Sequence, residues 1–295
     1  MTNLRIPIRM HMSNLVNSIN NRIKTYMNKL SHTTLYLIGS IRGNPVRTFW
    51  FRSVPNFGDL LNPIIFRYYG YFPVNTYLST SDVLCLGSIL NWVPETYSGI
   101  IIGSGLITDE IHPLPQAKII AVRGELTKER IGAPKDIVLG DPGLLVPLLF
   151  PNRSKKEFLL GFVPHYTDKN NIIFNNIQNR YSKEIKLIDV QQEPKEVVSE
   201  IDSCNFILSS SLHGLITADS LNIPNGWIEI SNNVTGEGFK FRDYSSAFNR
   251  TIKPNKITGR ENLTQLINLT NKVSESVNEA QHNLDLAFKK LSTFL

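Results

Sequence analysis

The chain has 295 residues, a net charge of +6, 41% hydrophobic and 19% charged content, and two cysteines. This composition excludes a disordered or fibrous protein, and no apolar run approaches the roughly 20 residues that a membrane span needs. The length exceeds the roughly 250 residues at which single cores stop growing, so more than one domain is expected.

The first segment, residues 1–33, is set apart by its charge. Arg5, Arg9, Arg22, Lys24, Lys29, Arg42, Arg47 and Arg52 all precede the first acidic residue, Asp59, which leaves 23 basic against 25 acidic residues in the remainder. Leu15, Ile19, Ile23, Met27 and Leu30 recur at helical spacing. They predict a basic amphipathic helix that lies on anionic headgroups or packs on its own domain. There is no secretory apolar region, so the expectation is a cytoplasmic protein that touches the inner face of the cytoplasmic membrane through residues 1–31.

Residues 34–150 alternate short apolar strands (34–38, 47–53, 83–86, 99–102, 118–122 and 136–139) with helices (60–69 and 124–131). The proline-rich stretch 147–156 reads as a linker. The rhythm restarts in 151–256 with strands 158–163, 185–190, 205–208 and 226–230, separated by helices 170–180, 195–201 and 212–221. A helical tail, 257–295, carries Val273, Val277, Ala280, Leu284, Phe288 and Leu291 on one stripe and is expected to pack across both domains. The fold class is therefore α/β, with two doubly wound, Rossmann-like domains and a cleft between them. Ligands of such sheets bind at the carboxyl ends of the strands. Cys85 and Cys204 fall in strands and read as buried thiols, and the six histidines show no metal-ligand spacing.

Six strand-end loops then draw attention. Asn56, Gly58 and Asp59 stand before a helix, where a turn with an Asp cap is the plain reading. Gly103 and Ser104 follow an apolar strand without completing a dinucleotide fingerprint. Arg123 precedes a helix-opening glycine, as a phosphate or carboxylate clamp or as a surface partner of Glu125 or Glu129. Asp141 and His165 each end a strand. The strongest stretch is Ser209–Ala218: a strand ending in three serines opens into a helix whose positive pole favours an anion, with His213 in its first turn. A serine-capped helix with an incidental histidine is the structural alternative.

Taken together, Asn56-Phe-Gly-Asp59, Ala121-Val-Arg-Gly-Glu-Leu-Thr127, Leu139-Gly-Asp-Pro142, Gly161-Phe-Val-Pro-His-Tyr166 and Ser210-Ser-Leu-His-Gly-Leu-Ile216 occur in an order that resembles the polysaccharide pyruvyl transferase family. Lys240-Phe-Arg-Asp-Tyr-Ser245 looks like a further family motif, and the resemblance covers roughly residues 45–250. It implies a fold like that of GT-B glycosyltransferases. It also implies phosphoenolpyruvate as donor, no cofactor or metal, and a saccharide acceptor, free or lipid-linked, of a bacterial-type surface polysaccharide. By the same resemblance Arg123 holds the donor's phosphate or carboxylate, while His213 and Leu212 sit at the donor site. Asn56, Gly58, Asp59, Gly103, Ser104, Asp141, His165, Ser211, Gly214 and Lys240 complete the substrate-binding set. Ser211 departs from the family's arginine before Leu-His-Gly.

Chemically, the donor's methylene must gain a proton, for which His213 is the best-placed acid. An attacking hydroxyl must lose one, to Asp59, Asp141 or His165. A nucleotide-sugar glycosyltransferase is the alternative function. Nucleic-acid binding is not expected, because the basic residues cluster outside the two domains.

Overall fold

A computed structural model describes residues 32–231 and 234–295. The predicted amphipathic helix of residues 1–31 lies outside them. The first domain opens with helix α1 (His32–Arg42) and continues through β1 (Pro45–Thr48), α2 (Phe57–Tyr68), β2 (Phe72–Asn75), β3 (Val83–Leu84), β4 (Ile100–Ile102), β5 (Lys118–Val122), α3 (Glu125–Ile131) and β6 (Val138–Leu139). Its six strands are all parallel, in the order β2-β1-β3-β4-β5-β6. A 3-10 turn, Pro142–Leu145, and helix α4 (Val146–Leu149) lead to the second domain.

The second domain contains β7 (Phe158–Val163), α5 (Ile172–Arg180), β8 (Ile185–Leu187), α6 (Pro194–Asp202), β9 (Cys204–Ser209), α7 (Leu212–Ser220), β10 (Asn225–Glu229), α8 (Phe239–Ser246) and β11 (Asn255–Lys256). These five strands are also parallel, in the order β11-β10-β9-β7-β8. Helices α9 (Leu263–Ile267) and α10 (Ser276–Lys289) follow. Short, nearly continuous apolar strands such as Ile100–Ile102, buried along their whole length, are what a parallel sheet covered on both faces requires.

Two expectations fail locally. Residues 34–38, expected as a strand, lie in α1. A run of only four apolar residues, Leu35–Ile38, has no period that separates a strand from a helix. Here the Gly43 amide closes the helix on the Gly39 carbonyl at 2.8 Å. Neither strand β2, which contains Pro73, nor helix α8 is among the expected elements. Pro73 is tolerated because β2 is the edge of its sheet.

The domains share a core. One apolar cluster runs from Val46, Phe57 and Leu61 through Leu145 to Leu215, Ile216 and Phe288. Helix α10 lies on the first domain: Phe288 stacks on Tyr69 with ring centroids 4.9 Å apart, and the Tyr69 hydroxyl donates to Asp285 at 2.8 Å. Gln281 donates to the carbonyls of both Leu144 and Ser220, bonding to each domain. At the carboxyl ends of the strands, the amide of Phe57 donates to the Val190 carbonyl at 2.9 Å. The strand-end loops of the two sheets therefore meet edge to edge.

Candidate active site

Chain order reverses between β7 and β9 in the second sheet, because β8 lies on one side of β7 and β9 on the other. Ligands of open parallel sheets gather at such a reversal. His165 follows β7 and the serines 209–211 follow β9, and the His165 amide donates to Ser210 Oγ at 2.9 Å. Ser211 opens α7 without a side-chain cap, so the first-turn amides and the positive helix pole are turned toward this edge. His213 stands in that turn, and its imidazole lies directly over Gly58 in the first turn of α2: a Cβ at position 58 would overlap its Nδ1. Asn56 fixes that turn by accepting from the Gly58 amide at 3.2 Å.

Four further ionisable groups surround the imidazole. Asp141 is buried, caps its turn through the Gly143 amide at 2.8 Å, and presents Oδ1 3.9 Å from His213 Nε2. Asp141 Oδ2 and His213 Nε2 are both buried without a hydrogen-bond partner among the described residues. Burial, reinforced by the positive charges of Lys240 and Arg123, holds His213 down to about 3, which keeps the imidazole neutral. Burial pushes Asp141 up to about 6, against the Gly143 hydrogen bond and the Arg123 charge. Asp59, partly open to solvent, is pushed by burial up to about 7 despite Lys240 and Asn56. His165 is lowered to about 4 by burial and by Lys240, with Nδ1 2.7 Å from Thr167 Oγ1.

Lys240 is the cation at the centre of this group. It is 8% exposed and sits in the first turn of α8, with no carboxylate within ion-pair distance among the described residues. Burial and the nearby Arg123 lower it to about 8, and Asp59 partly offsets them. A buried ammonium without a counter-ion is costly and calls for an anion.

Arg123 has a different place from the one the sequence suggests. Its side chain is fully enclosed. It donates from Nε to Asp243 at 2.7 Å, from Nη1 to Ser88 at 2.5 Å, and from Nη2 to the Leu106 carbonyl. Asp243, one helical turn after Lys240 in α8, also accepts from the amide and hydroxyl of Thr127 at 2.6 and 2.7 Å. Ser246 accepts from the Glu125 amide at 2.9 Å. Helix α3 of the first domain is thus capped by side chains of the second, a clasp that satisfies its open amides. Gly124 is required at the crossing, because a Cβ there would overlap the Asp243 carbonyl oxygen. Arg123 adds positive field to the site from within the clasp, while its guanidinium donates to protein acceptors.

A family model described as polysaccharide pyruvyl transferase matches residues 19–232. The chain belongs to the polysaccharide pyruvyl transferase family. It is similar to the succinoglycan biosynthesis protein ExoV of Rhizobium meliloti, 27% identical over 217 residues that cover 71% of this chain and 66% of that protein. Protein L143 of Acanthamoeba polyphaga mimivirus is 31% identical over 157 residues, covering 50% of this chain and 54% of its own length. The chain thus spans less than two thirds of either relative. Among solved structures, a protein of Klebsiella pneumoniae covers 77% of this chain and 97% of its own at 15% identity and a TM-score of 0.39. An alpha-glucosyltransferase solved with UDP and DNA covers 85% and 99% at 10% identity and a TM-score of 0.36.

The residues that carry the resemblance to pyruvyl transferases fall into two sets. Asn56, Gly58, Asp59, Asp141, His165, His213 and Lys240 converge on one edge. Arg123, with Gly124 and Thr127, belongs to the interdomain clasp. Gly103 and Ser104, expected to touch substrate, instead pack the strand end: Ser104 Oγ donates to the Cys85 carbonyl at 2.7 Å, and Gly103 lies against Pro142. Leu212 is core, and Gly214 gives room to Ser209 Oγ and Val163. Asp243 stands three residues after Lys240, a spacing that suggests a pair within one helix, but it instead accepts from Arg123 and Thr127 of the first domain.

Because the imidazole rests on Gly58, Gly58→Ala is expected to displace His213. Product formation should fall by about two orders of magnitude, the effect of a misplacement near 1 Å, while the melting temperature moves by only a few degrees. Wild-type turnover in purified Gly58→Ala would disprove this contact.

Proposed function

We propose that the chain transfers the pyruvyl group of phosphoenolpyruvate to two hydroxyls of a saccharide, free or lipid-linked, in the making of a surface polysaccharide. The observations that carry this reading are the largely buried Lys240, with no carboxylate within ion-pair distance among the described residues, and the buried Nε2 of His213, which has no hydrogen-bond partner among them. Together with the α7 N-terminus, they form a compact cationic edge suited to a small anion bearing phosphate and carboxylate.

In the reaction, one sugar oxygen bonds to the central carbon of the enolpyruvyl group while the methylene carbon takes a proton and becomes methyl. The second sugar oxygen then bonds to the same carbon as its bond to phosphate breaks. Of the two hydroxyl protons lost, one is balanced by the methyl group and the other leaves with phosphate. His213 is the acid in this proposal. The donor's negative charge offsets the fields of Lys240 and Arg123 that hold the imidazole neutral, and Asp141 at 3.9 Å stabilises its protonated form. Asp59 is the base, since its carboxyl titrates near neutrality at the partly open side of the site. Asp141, directed at His213, orients the acid.

The pH profile follows. Asp59 must be deprotonated to act as base, so kcat rises through about 7. Lys240 must be protonated to hold the donor, so the affinity for phosphoenolpyruvate falls as pH rises through about 8. Lys240→Arg should extend that affinity to higher pH, because a guanidinium stays charged. The function itself is tested by mass spectrometry of oligosaccharides incubated with the protein and phosphoenolpyruvate, seeking the pyruvyl ketal. In parallel, phosphoenolpyruvate should raise the melting temperature while UDP-, GDP- and CMP-sugars do not. Stabilisation by a nucleotide sugar alone would establish the glycosyltransferase alternative instead.

A further inference from the structure

A second concave site lies beside the first, within the second domain. It is a cavity of about 460 Å³ at the carboxyl ends of β9 and β10, bordered by Asp168, Ser210, Trp227, Glu229, Ser231 and Phe241. This volume falls within the roughly 300–1,000 Å³ of small-molecule sites. Ser210 is shared with the His165 edge, and Phe241 follows Lys240, so the cavity adjoins the proposed donor site.

Its chemistry is the opposite of the donor site's. No lysine or arginine borders it among the described residues, whereas Asp168, Glu229 and Glu237 do, so a phosphate or carboxylate would be repelled. Trp227 stacks on the buried Phe241 with centroids 4.4 Å apart and planes at 7°, which holds the less deeply buried Trp227 ring rigidly as an apolar border. Asp168 is 2% exposed. Its Oδ1 accepts from Ser231 Oγ at 2.5 Å, and its Oδ2 has no partner among the described residues. A buried carboxylate oxygen left unsatisfied is unfavourable and calls for a donor. Glu229 makes a loose ion contact with the exposed Lys256 at 3.8 Å and is free to accept more.

The loop on the other side is held in a tight shape. Gly236, Glu237 and Gly238 all have positive φ, at 92°, 46° and 74°. Gly236 lies against the Ile107 carbonyl of the first domain, and Gly238 against the edge of Trp227. Glu237, unlike its glycine neighbours, holds this backbone at a steric penalty, a feature that concentrates at ligand sites.

We propose that this cavity is the acceptor subsite and binds a neutral saccharide. Asp168 and Glu229 accept sugar hydroxyls there, and the Trp227 border takes the apolar face of a ring. The assignment rests on the pyruvyl-transfer reading for its role, while its ligand chemistry is tested separately. Saturation-transfer NMR of the full chain with cellobiose and lactose is expected to show binding, competed by neither phosphoenolpyruvate nor inorganic phosphate. Asp168→Asn and Glu229→Gln should each weaken it about tenfold, the effect of losing one hydrogen bond to a charged group. The thermal shift by phosphoenolpyruvate should be unchanged in both.

Absence of saccharide binding, binding unaffected by both substitutions, or preferential binding of tetramethylammonium would each overturn the subsite. Should Asp168→Asn fail to fold, Glu229→Gln at the cavity border decides alone. A protein that binds the sugars in this manner but neither responds to phosphoenolpyruvate nor releases phosphate from it would retain the subsite and lose the function proposed above.

Discussion

Lys240→Met is expected to abolish stabilisation by phosphoenolpyruvate and to raise its KM by about 10²–10³-fold, the range for removing one partner of a buried charge pair. Fold stability should be unchanged or slightly higher, because methionine fills the same space without a buried charge that lacks a counter-ion. The separation matters: lost donor binding with an intact melting temperature marks a group whose charge serves the ligand. Lys240→Arg should keep part of the affinity, since the charge survives although its shape does not. An unchanged KM in Lys240→Met would move the donor away from α8 and remove the central argument for the site.

Arg123→Met is expected to behave in the opposite way. It leaves Asp243 buried with only the Thr127 amide and hydroxyl, which costs about 3–5 kcal/mol. At the size of this chain that corresponds to a melting temperature lower by roughly 10 °C or more. Arg123→Lys should not restore it, because one ammonium cannot reach Asp243, Ser88 and the Leu106 carbonyl together. Pairing Arg123→Met with Asp243→Leu should recover part of the loss by removing the stranded charge. A raised KM for phosphoenolpyruvate with no change in melting temperature would return Arg123 to the anion-holding role that the family resemblance implies.

These two basic residues show how far a sequence can be read. Both stand in motifs, Arg123 as an expected anion clamp and Lys240 as a member of the expected substrate-binding set. Lys240 ends without a carboxylate and Arg123 ends against one, a difference made by Asp243, which lies 120 residues from Arg123. Similarly, Gly58 looked like a residue of a turn. That it supports an imidazole 155 positions away depends on how α2 and α7 cross.

The alternation of strands and helices in both halves, two parallel sheets, the helix with His213 in its first turn and the family resemblance were legible in the chain alone, whereas strand β2 and helix α8 were not. They depend on hydrophobic period, turn chemistry and short motifs, all of which act over a few residues. The α1 segment marks the lower limit of that reading, where a four-residue apolar run carries no usable period. Tertiary structure decided what each charge meets. Burial and the few ångströms around a titratable group determine whether it binds, caps or clasps, and those neighbours come from remote parts of the chain. The sequence therefore determined that Ser209–Ala218 opens a helix with a histidine in its first turn. The crossing of the two domains decided that this histidine meets Gly58, Asp141 and the field of an unpaired lysine.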